Sequence, residues 1–196
     1  MLDKNGYIKL VDFGVCKRLK TADARAHTIV GTPEYLPPEI IIQKGHSMGA
    51  DWWSFGIFLF EMLVGVPPFY SRNQHEMFCK IIKEDFKFPQ ELELSDECKD
   101  LVRQLLIKNP DHRLGSQKDA ELIKNHPWFN DLDWEKLTNQ ELEAPFIPEL
   151  TSDIDVQYFD KNFTKEDPRN TRRDSDENLI IENFVPEFKD FEYEKK

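Results

Sequence analysis

Apolar residues recur at helical spacing in three stretches of this chain. Residues 48–64 are apolar on nearly every side, broken by Ser54 and Glu61, and stop at Gly65 ahead of Pro67 and Pro68. That pattern predicts a helix starting near Asp51 and buried all round. Residues 74–83 carry Met77, Ile81 and Ile82, and residues 95–107 carry Cys98, Leu101, Val102, Leu105 and Leu106, each set on one helix face. Ser95, with Asp96 and Glu97 behind it, predicts an N-cap with an acidic first turn, and Asn109-Pro110 ends that helix. A short helix is expected over 39–43. Near the start, Asn5-Gly6 lies between apolar runs and predicts a hairpin with a type I′ turn, which needs positive φ at both central residues. After Glu143 the periodicity fades into prolines and charges, interrupted by two aromatic clusters. The expected fold is therefore mainly α, with a short N-terminal β-hairpin and an extended C-terminal tail. The boundary falls between 1–143 and 144–196.

Composition narrows the function. The 196 residues carry a formal net charge of −11, which argues against general nucleic-acid binding and fits a protein that recognises basic peptides. The mean hydropathy of −0.62 points to a substantial solvated part. Three scattered cysteines, Cys16, Cys79 and Cys98, show no metal-ligand spacing and suit a reducing, cytoplasmic setting. Met1-Leu2-Asp3-Lys4 lacks the pattern of a signal peptide. The most apolar stretch, residues 52–66, is too short and too interrupted for a transmembrane segment.

The chemistry concentrates between Asp12 and Glu39. Asp12-Phe13-Gly14 opens the stretch and Pro37-Pro38-Glu39 closes it, with Gly31-Thr32-Pro33-Glu34-Tyr35 just before the close. Between them lies a polar loop in which Thr28 follows the basic residues Lys17, Arg18 and Lys20. A phosphate on Thr28 would add about −1.5 to −2 charges and three acceptor oxygens for such cations to capture. Asp-Phe-Gly alone is weak. The ordered set is strong.

That ordered set resembles the downstream half of a protein kinase, and residues 1–150 look like the C-lobe of the AGC group of serine/threonine kinases, the protein kinase B and protein kinase C relatives. The resemblance implies a kinase using ATP and Mg²⁺, with Asp12 holding the metal that bridges the phosphates. By position, Thr28 is the activating phosphosite of an upstream kinase, and Lys17 pairs with its phosphate. Thr32 contacts the catalytic loop, and Tyr35 lines the peptide site. Asp51, in Asp51-Trp52-Trp53-Ser54-Phe55-Gly56, supports the catalytic loop. As a plain helix-start residue it is equally well explained. Glu61 pairs with a substrate arginine, making protein substrates with basic motifs the expected partners. Arg113 in Asp111-His112-Arg113-Leu114-Gly115 forms a buried pair with Glu39. His126-Pro127-Trp128-Phe129 closes the lobe, with Trp128 and Phe129 as core anchors. Pro37 stands where the group has alanine, a small departure.

The tail resembles the AGC regulatory tail. Residues 158–164 match its tether beside the ATP pocket. Phe188, Phe191, Glu192 and Tyr193 match its hydrophobic motif, with Glu192 supplying fixed charge where many relatives carry Ser or Thr. Thr171 or Ser175 stands for the turn-motif phosphosite. Only eleven residues precede Asp12, so the resemblance implies an N-terminally truncated chain: the N-lobe, glycine-rich loop and catalytic loop are missing partners, and the chain alone is expected to be inactive. The competing class is a non-catalytic docking or regulatory protein made of a C-lobe and tail.

Overall fold

A computed structural model describes residues 1–166 apart from 20, 22, 23 and 153. The chain divides into two compact units, Met1–Ile147 and Pro148–Lys196. The first begins with a turn that differs from the expected one. Asn5 does not take positive φ; only Gly6 does, at 82°. The Gly6 amide donates to the Asp3 carbonyl at 3.0 Å, and the Asp3 amide donates to Tyr7 O at 2.8 Å. Asp3 Oδ1 accepts from the amides of Asn5 and Tyr7 at 3.0 and 2.9 Å. The aspartate thus holds a three-residue loop with glycine last, the arrangement of a turn followed by a bulge. Glycine is required twice over, because a Cβ at Gly6 would lie 2.2 Å from the Phe146 carbonyl oxygen. Beyond the turn, Leu2 and Ile8 pair as a single antiparallel bridge. Among the described residues, isolated bridges are the only β-structure, the second joining Ala26 to His46.

The helices follow the sequence pattern closely. Helix α1 spans Pro38–Ile41, started by two prolines whose fixed φ suits a first helical turn. Helix α2 spans Gly49–Val64, two residues earlier than Asp51. It ends at Gly65, which takes φ 91° and returns its amide to Glu61 O at 2.7 Å. Helix α3, Gln74–Lys83, is capped by Asn73 Oδ1, which accepts from two amides; helix α4, Asp96–Leu105, is capped by Ser95. Short helices α5 (Ala120–Lys124) and α6 (Trp134–Thr138) complete the unit.

Helices α2 and α4 pack face to face and form the core. Gly56 lets them approach, since a Cβ there would stand 2.8 Å from Leu105 Cβ and 2.9 Å from Leu106 Cδ2. Trp53, Ile57, Ile81, Leu101, Val102 and Leu105 are fully enclosed. Phe60, Phe69, Phe86 and Phe88 add an aromatic layer with ring centroids 5.3–6.2 Å apart.

Two expectations of burial are corrected. Helix α2 is not buried all round: Phe58 is 48% and Met62 59% exposed, because helix α4 covers only one flank among the described elements. Trp128 is also not a core anchor, being 38% exposed and edge-on to Phe129. The enclosed residue of that segment is His126. Its Nδ1 accepts from the Trp128 amide at 3.2 Å, so Nε2 carries the hydrogen directed at Asp100 Oδ2, also 3.2 Å away.

In the second unit, helix α7 (Lys161–Thr164) is capped by Asp160. Asp155 ties the preceding loop, accepting from the Thr151 amide at 2.8 Å and the Thr151 hydroxyl at 2.5 Å, and from the Gln157 amide at 2.9 Å.

Candidate functional site

The strongest local arrangement joins the end of the Asp12–Glu39 stretch to the body of the helical unit. Pro38 starts helix α1 and places Glu39 inward, 3% exposed. Arg113 follows the 3-10 turn Pro110–His112 and is 2% exposed. Its Nη1 and Nη2 donate to the two Glu39 carboxylate oxygens at 2.7 and 2.9 Å. Nη1 also donates to Gly49 O at 2.7 Å, Nη2 to Lys108 O at 3.2 Å, and Nε to Ile107 O at 2.9 Å. All five guanidinium hydrogens are therefore used. The guanidinium also lies over the Trp53 ring, 5.1 Å from its centroid. One buried fork fastens helix α1, the start of helix α2 and the end of helix α4.

A second junction lies one turn upstream. Thr32 precedes the 3-10 turn Pro33–Tyr35, its carbonyl accepting from the Tyr35 amide at 3.0 Å while its side chain stays exposed. The turn points Tyr35 at helix α2, where its hydroxyl donates to Glu61 Oε2. Ser54 Oγ holds the same turn by donating to Tyr35 O at 3.0 Å. Hydrogen bonding to Glu61, with desolvation and the charges of Glu61 and Glu34 behind it, pushes the Tyr35 phenol up to about 12. The phenol is thus a lasting donor to the half-buried Glu61 carboxylate.

Asp12 stands apart from both junctions. It takes φ 63°, an uncommon conformation for a residue with a side chain, and its Oδ1 accepts from the Gly14 amide at 3.1 Å. It is exposed, as are Leu10, Val11, Phe13 and Val15 around it. Among the described residues no group of three or more His, Cys, Asp or Glu gathers as a metal cage. Asp12 could then supply one ligand to a metal whose other ligands come from elsewhere.

Thr28 and Lys17 are both exposed on the intervening loop. That loop is anchored where Ala26 and His46 exchange backbone hydrogen bonds of 2.8 and 2.9 Å, and where Arg25 meets Asp111 at 3.6 Å. Asp51, in the first turn of helix α2, keeps contact with solvent. Desolvation of its carboxyl, with Asp119 nearby, raises its pKa, and His46 opposes the rise. Phe188, Phe191, Glu192, Tyr193, Thr171 and Ser175 lie outside the described residues.

Comparison with known proteins places this geometry. The pattern of the protein kinase domain matches residues 1–129, and that of the protein kinase C terminal domain matches residues 150–193. The chain belongs to the protein kinase family. Its relatives are serine/threonine kinases of the AGC group. It is 44% identical over 168 residues to the serine/threonine-protein kinase gad8 of Schizosaccharomyces pombe, covering 86% of this chain and 29% of that protein. It is 39% identical over 196 residues to the RAC-beta serine/threonine-protein kinase A of Xenopus laevis, covering 98% of this chain and 40% of that protein. The RAC serine/threonine-protein kinase of Drosophila melanogaster is 42% identical over 167 residues, 85% of this chain and 27% of its own length. The chain thus spans well under half of these curated relatives. No helix among the described residues is long and apolar enough to cross a membrane.

For a kinase-family chain, some anchoring residues carry no motif that sequence reading could flag. His46 matters through its backbone, so any residue would give the same signal. Ser54 was noted only as a polar break in an apolar helix, which was the one hint of its bond to Tyr35. Trp52 Nε1, which donates to Asp119 Oδ1 at 3.1 Å, needed the fold to reveal its partner.

Proposed function

We propose that the protein carrying this chain is an AGC-type serine/threonine kinase that transfers the γ-phosphoryl group of MgATP to hydroxyls near basic residues. The observation that carries this reading is the Asp12–Glu39 stretch, matched in order to the kinase pattern and tied to the helical unit through Tyr35–Glu61 and Glu39–Arg113. ATP and Mg²⁺ supply the phosphoryl group and neutralise its charge in transfer. One Asp12 oxygen takes the Gly14 amide, leaving an exposed carboxylate able to face a hard cation. Thr28 is the regulatory phosphosite of an upstream kinase, received in part by Lys17. Thr32 holds the segment against the catalytic loop, and Asp51 supports that loop's amides.

Glu61 selects the substrate. Its carboxylate is half-buried and keeps one oxygen engaged by Tyr35, so an arriving guanidinium would find an acceptor already held in place. The tail residues Phe188, Phe191, Glu192 and Tyr193 act as a docking motif for an N-lobe, with Thr171 or Ser175 as a further phosphosite. A positional peptide-library assay on the full-length protein tests the substrate side. Glu61→Gln is expected to weaken arginine selection about 10-fold or more at one position, in line with loss of a charge-assisted bond. Unchanged arginine preference would overturn the role of Glu61.

A further inference from the structure

The loop carrying Thr28 holds more cations than a paired lysine requires. Lys17, Arg25 and His27 lie on it, and His46 faces it across the backbone pair with Ala26. The His27 ring packs over Gly45, where a Cβ would stand 2.8 Å from His27 Cε1 and 3.1 Å from Arg25 Cβ. Gly45 accommodates this with φ 84° and no side chain. His27 therefore sits against the turn that presents His46. His46 is in turn within electrostatic reach of both Lys17 and His27. In a chain of net charge −11, three basic groups converge on one short exposed loop.

The anions near them do not close the cluster. Glu39, from helix α1, faces His46 but spends both oxygens on Arg113. Asp51, from helix α2, also acts on His46 electrostatically, and Asp119 acts on Asp51 in turn. Arg25 is engaged by Asp111. Lys17, His27 and His46 have no ion-pair partner within 4.0 Å among the described residues. Thr28 stands two residues beyond Ala26, at most about 7 Å along the chain. Thr28 therefore follows directly on the segment that the Ala26–His46 pair and the His27–Gly45 contact hold together.

We propose that His27 and His46 join Lys17 as the receptor of a phosphate on Thr28, so that the grip on the phosphorylated loop is strongest where charged imidazole and phosphate dianion coexist and loosens on either side of that pH window. The proposal rests on Thr28 being a phosphosite and adds to it two histidines. Desolvation holds His46 below the usual histidine range, with Lys17 and His27 pressing the same way and Glu39 and Asp51 opposing. Burial thus disfavours the charged imidazole as long as no phosphate is present. A dianion beside it draws the proton on, because an opposite charge at short range favours the charged form. The phosphate itself takes up a second proton near pH 6, so the contact is strongest in the window where imidazolium and dianion coexist.

The test is an NMR titration of the histidine rings in protein carrying phosphothreonine installed chemically or genetically at position 28, against the unmodified protein. The expected result is a rise of about one unit in the pKa of His27 and His46 on phosphorylation. In His46→Gln, the phosphate resonance should shift its own titration upward relative to the parent. Because His46 pairs through its backbone, glutamine keeps the anchor. Unmoved histidines, with the Lys17 amine alone responding, would overturn the proposal. Mass analysis of residue 28 in endogenous protein separately tests whether Thr28 is phosphorylated. Its failure would leave the titration result standing.

Discussion

At the scale of single residues, the Glu39–Arg113 fork is the contact whose loss should cost most. Removing the arginine strands a carboxylate that is 3% exposed and takes the side-chain donor away from three carbonyl oxygens. Arg113→Ala is expected to lower stability by about 3–5 kcal/mol, read as the urea midpoint of unfolding. An unchanged midpoint would mean solvent enters and rescues Glu39. The Tyr35–Glu61 bond gives a spectroscopic signal instead. Glu61→Gln removes the accepting carboxylate, so ultraviolet titration of Tyr35 should fall from about 12 toward 10. His46 sets a pH dependence. Its folded pKa is depressed, so the unfolded chain binds the proton first, and stability should drop as pH falls below about 6.5. His46→Gln should flatten that decline in melts collected between pH 7.5 and 5.5. Glu39 and Arg113 were readable because each lies in a short ordered motif, whereas Glu61 stood out only as a carboxylate inside an apolar helix. His46 was not readable, since neither its backbone pair with Ala26 nor the burial that lowers its pKa leaves a motif in the sequence.

At the scale of elements, hydrophobic spacing located the helices to within two residues wherever one face is buried. Helix α3 was legible from Met77 and Ile81, and helix α4 from Ser95 onward, because capping and periodicity agree there. Helix α2 was harder. Its uniformly apolar sequence cannot say which flank will be covered, and the structure leaves Phe58 and Met62 open. The Asn5-Gly6 pair misled in a different way. Asp3 offers its carboxylate to two amides, and that local bond selects a turn in which glycine alone takes positive φ. Gly56 shows how closely the two central helices meet. Gly56→Ala should destabilise by about 1–3 kcal/mol despite alanine's better helix propensity, because Leu105 and Leu106 leave no room for a methyl group. A gain in melting temperature would show that helix α4 can slide aside.

At the scale of the whole molecule, fold class and family were legible because the motifs occur in order along one chain: Asp12-Phe13-Gly14, Gly31-Thr32-Pro33-Glu34-Tyr35, Pro38-Glu39 and Arg113. Beyond the Glu39–Arg113 pair, what holds those motifs in place was not, because it depends on backbone contacts made far apart in sequence, such as Arg113 with Gly49 O and Ser54 with Tyr35 O. Since the chain spans 17–40% of its curated relatives, activity belongs to the protein as it exists in the cell. The direct measurement is phosphoryl transfer from labelled ATP to an arginine-containing serine peptide, using endogenous-length protein captured through an antibody to residues 165–196. Magnesium-dependent transfer is expected, falling at least about 100-fold in Asp12→Asn, as for loss of a group that stabilises developing charge. Transfer at the parental rate by the Asp12→Asn protein would contradict the account.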